Sequence, residues 1–203
     1  MQTMQWYLGA YWGPSQEPVP MEVSAQQIWD SLTVLHETLG YGPRWEHAGN
    51  TLTNPDAITQ ALATGMNRKD TTGEVIPTLG QRIGIGSLDQ DNLGLSISVG
   101  GTAPTWSGVF LLTPTDRRPP DLDTAKDLMS QLVQTWRPQD MTWSTDKLRE
   151  AGWDAGLPMK KGVPFAGWLT WVSPNLHDPL PGPVEELAGG ACTCSPPPLM
   201  RPP

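Results

Sequence analysis

Few residues in this chain can do chemistry unaided. It has three histidines, at 36, 47 and 177, and two cysteines, Cys192 and Cys194. The histidines form no HxH, HExxH or HxxxH set, which excludes the usual spaced-histidine metal patterns. The cysteines stand one residue apart, too close for an unstrained disulfide to each other and with no second ligand pair for zinc. They read as an incidental feature of a Pro-rich end, consistent with a reducing compartment. No Lys/Arg cluster exceeds two in a row, and 21 acidic side chains face 13 basic ones for a formal charge of −8. Such a surface repels a phosphate backbone, so nucleic-acid binding is disfavoured and a basic partner protein is favoured. No run approaches the roughly 18 apolar residues of a membrane span. The opening MQTMQWYL lacks the charged flank and apolar stretch of a secretory signal. A cytoplasmic protein with no membrane partner is expected.

Bulky aromatics are plentiful by contrast. Ten tryptophans in 203 residues supply core area despite an apolar content of only 37 %. One domain is expected over residues 1–175, followed by a Pro- and Gly-rich tail over 176–203. That tail cannot bury enough area to offset its ordering entropy, and is expected to be mostly disordered.

The periodicities predict an α+β fold, with a mainly antiparallel sheet packed by three to four helices. Met4 to Trp12 reads as a first, central strand, with Trp6, Leu8 and Ala10 on one face and Tyr7, Gly9 and Tyr11 on the other. Ser24 and Gln27 match a capping box before Ile28, Leu32, Leu35 and Leu39, which predicts a helix over Ser24 to Leu39 ending at Gly40. Asn54 and Pro55 are the cap and first position of a second helix carrying Ile58, Leu62 and Met66. Ile83 and Ile85 open a β-region. Leu93, Leu95, Ile97 and Val99 then alternate with small residues, and Trp106 to Leu112 follows, so a meander is expected. From Asp121 a helical face of Leu122, Ala125, Met129, Leu132 and Trp136 runs until Arg137-Pro138 stops it. Met141 to Trp143 reads as a small strand, Ser144 or Thr145 as the cap of a short helix toward Gly152, and Pro164 to Pro174 as the last strand.

Catalytic and ligand motifs are incomplete. Glu46-His47 is the one adjacent acid/base pair, and neighbours on an extended segment point to opposite sides. GIGS at 84–87 and SVGG at 98–101 complete no phosphate-binding loop. The carboxylate pairs in DLD (121–123) and DQD (89–91) are better explained by capping and turns than by a metal. No cofactor, metal ligand or catalytic residue is assigned. The tryptophans suit either core packing or an exposed stacking platform. Trp29, Trp136 and Trp168 lie where periodicity buries them, whereas Trp12, Trp45 and Trp106 stand at strand ends or in loops, where aromatic anchors contact partners.

Three segments in order carry a family likeness: Tyr7 to Gly13 (YLGAYWG), LVQTWRPQ at 132–139 and GWLTWVSP at 167–174. The set resembles the immunity protein 52 family of bacterial polymorphic toxin systems over about residues 4–175. The proline-rich loop after Gly13 and the tail beyond Asn175 depart from it. The resemblance implies a non-catalytic α+β protein that binds and silences a cognate toxin, often a nuclease of restriction-endonuclease fold. The acidic charge suits a cover for such an enzyme's basic groove. On that reading Trp12, Glu17, Trp45, Glu46, Asp70, Glu74, Asp89 and Asp91, all loop or edge positions, are the expected partner-binding residues. Two other readings stand: a small hydrolase or ligand-binding enzyme using Glu46 and His47 in a Trp-lined cleft, and a structural or assembly protein without a toxin partner.

Overall fold

The structure, a computed structural model, describes residues 5–13, 17, 19–91, 93–102, 107–112, 119–148, 150, 167–175, 180 and 183–194. In chain order the elements are β1 (Trp6–Trp12), α1 (Met21–Leu39), β2 (Trp45–His47), β3 (Asn50–Leu52), α2 (Pro55–Thr64), β4 (Gln81–Ser87) and β5 (Gly94–Val99). Then follow β6 (Ser107–Leu112), α3 (Leu122–Trp136), β7 (Asp140–Thr145), β8 (Leu169–Val172), β9 (Val184–Leu187) and β10 (Gly190–Cys194). The class is α+β. All the described strands join one antiparallel sheet in the order β3-β2-β4-β5-β6-β1-β7-β8-β10-β9.

The core lies between the sheet and the helices. Leu8 and Ala10 of β1, Leu95 of β5 and Met141 of β7 meet Ser31 and Leu35 of α1 and Leu132 and Trp136 of α3. β1 is central as its two bulky faces predict, paired with β6 on one side and β7 on the other. The two later helices start where their caps place them. The Asn54 side chain accepts from Ala57 N at 2.9 Å, and Asp121 Oδ1 accepts from Thr124 N at 3.0 Å. Each bond satisfies a backbone donor that has no partner within the helix. At the interface of α1 and α3, Trp136 Nε1 donates to Ser31 Oγ and Gln27 Nε2 donates to the Thr135 carbonyl, both at 2.8 Å.

Several expectations need correction. α1 begins at Met21, directly after Pro20, whose carbonyl accepts from Val23 N and Ser24 N at 3.1 Å each. Ser24 is therefore buried in the helix and caps nothing; a proline with its fixed φ starts the helix without a side-chain cap. The small strand expected at Met141 to Trp143 is a six-residue strand, β7, buried along its whole length. The strand expected over Pro164 to Pro174 is observed at Leu169–Val172 and is not the last, with 164–166 outside the described residues. Disorder from Leu176 onward does not hold for residues 184–194, which form a β-hairpin paired to β8. Residues 195–203 lie outside the described residues. Cys192 is no tail feature: it is fully buried opposite Trp171, and burial pushes its thiol up to about 11.

The hairpin forms because Ala188 and Gly189 both take positive φ, 49° and 75°, giving a two-residue connection whose twist matches that of the strands. β2 and β3 are joined the same way, by Ala48 and Gly49 at 50° and 82°. Besides its pairing with β8, two side-chain contacts fasten the tail hairpin to the rest of the molecule: Trp171 Nε1 donates to the Leu187 carbonyl at 2.7 Å, and Lys126 of α3 pairs with Glu185.

Candidate functional site

The residues expected to bind a partner do not converge. Glu46, Asp89 and Asp91 lie around β2 and the β4–β5 turn, while Asp70 and Glu74 belong to the excursion before β4, at the opposite end of that strand. Glu17 is exposed in the loop after β1. Trp45 is 2 % exposed and is a core residue, which overturns its expected role as a surface anchor: its place at a strand end brings it into the hydrophobic core rather than into solvent. Trp106 lies outside the described residues.

Several of the acidic side chains also have local work. Asp89 accepts from Arg44 Nε at 2.8 Å and from Arg44 N at 3.0 Å, and that guanidinium holds its carboxyl below the usual carboxylate range. Glu74 pairs with Lys69 at 2.7 Å, and Glu46 Oε2 accepts from Gly49 N at 2.8 Å, closing the β2–β3 turn. His47 Nδ1 bonds the Gly84 carbonyl at 2.7 Å. Of the Glu46-His47 pair of the enzyme reading, Glu46 therefore braces the β2–β3 turn and His47 ties β2 to β4. Among the described residues no three His, Cys, Asp or Glu side chains come together to hold a metal, and no helix is long and apolar enough to cross a membrane.

What does converge are the three segments of the family likeness. Trp12 at the end of β1 stacks on Trp136 at the end of α3, with ring centroids 5.2 Å apart and planes 18° from parallel. Gln139 N donates to the Tyr11 carbonyl at 2.8 Å, and Ser173 N donates to the Gln139 carbonyl at 2.8 Å. The chain after α3 is thus stitched to β1 on one side and to the end of β8 on the other.

A cleft of about 600 Å³ opens beside this junction. One wall is the end of α3, with Gln134 and Arg137; the floor is Gln139 and Trp171; Ser173 and Asn175 follow β8; and the β9–β10 turn closes the far side. Arg137 caps α3 in the left-handed conformation, φ 47°, where glycine is the usual occupant. The Ser173 hydroxyl is buried and makes no hydrogen bond. These residues were missed as site residues because the sequence marks Arg137-Pro138 only as a helix stop, and because one wall belongs to a tail expected to be disordered. The signal that would have found that wall is Ala188-Gly189 set between two short segments able to pair.

No family model matches the chain. No curated protein matches it either. The chain is similar to a solved structure described as Pseudomonas aeruginosa T6SS protein PA0821, with 12 % identity and a TM-score of 0.49, over 93 % of this chain. The chain spans 64 % of the length of that one. A likeness at this level carries no argument about activity or partner, and the resemblance to immunity protein 52 has no family match behind it.

Across the sheet from the helices, β7 and its neighbours bury polar side chains. Tyr11, Asp140, Val172 and Ala191 stand in one cross-strand row, and Gly9, Thr142, Thr170 and Thr193 in the next. Burial pushes the Asp140 carboxyl up to about 7, because no cation among the described residues offsets the loss of hydration.

Proposed function

We propose that this protein is an immunity protein that binds a cognate bacterial toxin, a nuclease effector, and neutralises it by direct contact and not by catalysis. The observation that carries the reading is the junction: the segments that prompt the family likeness, distant in sequence, are held together by the Trp12–Trp136 stack and the backbone bonds through Gln139. They border the cleft described above. The net charge of −8 supports a basic partner by steering its approach. Asp70 and Asp91, exposed and without an ion pair among the described residues, contribute to that field.

The test is a pull-down from the native host with tagged protein in moderate salt, read by mass spectrometry. The expected result is one large secreted protein ending in a toxin domain, whose activity the purified protein suppresses. Recovery of no such partner from cells that express it would favour the enzyme and assembly readings.

A further inference from the structure

The cleft beside the three-segment junction has a chemistry unlike the rest of this acidic molecule. Among the described residues that line it, Arg137 is the one cation and no side chain is acidic. The Arg137 guanidinium makes no hydrogen bond or ion pair with the described residues, although Arg44, Lys69 and Lys126 each have a carboxylate. Around it stand the amides of Gln134, Gln139 and Asn175 and the buried Ser173 hydroxyl, nine-tenths or more covered and unpartnered. A buried hydroxyl with no partner costs free energy unless something supplies one. Trp171 gives the cleft an apolar floor.

We propose that this cleft is a carboxylate-binding site, with Arg137 as the charged anchor and Ser173 as a second donor. The proposal rests on the reading of the cleft as a binding site and names the group it receives. The guanidinium fork matches a carboxylate in a two-bond geometry. A monoanion suits the site better than a phosphate dianion, since the negative end of the α3 dipole lies at Arg137 and a single cation stands against it. The carboxylate comes either from an acidic side chain of a bound polypeptide or from a free organic acid.

Titration calorimetry on the whole chain, with three probes, tests this: a blocked Gly-Glu-Gly tripeptide, its Gly-Gln-Gly counterpart, and glutarate. The glutamate peptide is expected to bind saturably and about tenfold or more tighter than the glutamine one, a difference near 1.4 kcal/mol. Arg137→Gly, which suits the left-handed backbone and so keeps the fold, is expected to abolish that preference. Ser173→Ala is expected to weaken binding by about threefold, the loss of one modest hydrogen bond. Tighter binding of the peptide than of glutarate identifies a polypeptide source, and equal or tighter glutarate binding identifies a free acid. The proposal is overturned if neither carboxylate probe binds the folded protein, if the two peptides bind alike, or if Arg137→Gly changes nothing. No toxin enters the assay, so its outcome is separate from that of the pull-down.

Discussion

The sheet divides between β6 and β1 into halves built on different rules. In the half containing β4 and β5, side chains alternate: Leu95, Ile97 and Val99 are buried toward the helices, while Gly94, Ser96 and Ser98 remain half-exposed on the other face. In the half containing β7 and β8, every residue of both strands is buried, including Asp140, Thr142, Ser144 and Thr170. The first half is an apolar layer with one wetted face. The second withdraws polar groups from water on its far face, and there the details of pairing and protonation matter most.

Substitutions should separate the halves. The largest effect belongs to Trp143, fully buried on β7 and set edge-on to Trp168 at 5.8 Å. Trp143→Ala is expected to cost about 3–5 kcal/mol in chemical denaturation; a loss below about 1 kcal/mol would show that the covered half is loosely packed.

Next comes Asp140. Its folded-state value, about 7, lies above that of an unfolded aspartate. The folded chain therefore holds the proton more tightly, and stability is lost as pH rises from about 4 through about 7. Asp140→Asn is expected to remove this slope and to raise stability at pH 8 by about 2–4 kcal/mol, with little change near pH 4. Equal effects at both pH values would mean that the carboxyl is hydrated and the far face less closed than described.

A smaller gain is expected at Arg137. A non-glycine residue in the left-handed region costs about 1–2 kcal/mol, part of which its charge recovers at the C-terminal end of α3. Arg137→Gly should thus raise stability by up to about 1 kcal/mol, even as it removes the anchor of the cleft. A loss instead would mean that the guanidinium holds the fold. On the wetted half, Ser96→Ala should change stability by no more than about 0.5 kcal/mol.

The same division explains what the sequence makes legible. β5 announces itself because one face is wet, and strict alternation is the mark of that condition. α2 and α3 announce themselves through Asn54-Pro55 and Asp121, which make the expected capping bonds. β7 is under-read because Asp-Met-Thr-Trp-Ser-Thr carries polar groups on a buried face, which local composition cannot distinguish from a short exposed strand. The tail hairpin is missed because Val184–Leu187 and Gly190–Cys194 hold little apolar area of their own. Their order comes from β8, from Trp171 and from Lys126, contacts that are distant in sequence. Gly190 illustrates the dependence, since a Cβ there would lie 2.5 Å from the Trp171 ring. With the hairpin unread, half of the cleft is unread too. Of the expected contact residues, Trp12 alone stands at the junction, and the acidic residues trace the charge of the surface rather than a single site.

The central claim is best tested by the dissociation constant for the partner that the pull-down recovers, at moderate salt, for the native protein, Arg137→Gly and Asp70→Asn. The account predicts tight binding that Arg137→Gly weakens by at least about tenfold, a difference near 1.4 kcal/mol, and that Asp70→Asn leaves nearly unchanged. Absence of binding by the folded native protein, or a loss confined to Asp70→Asn, would contradict it.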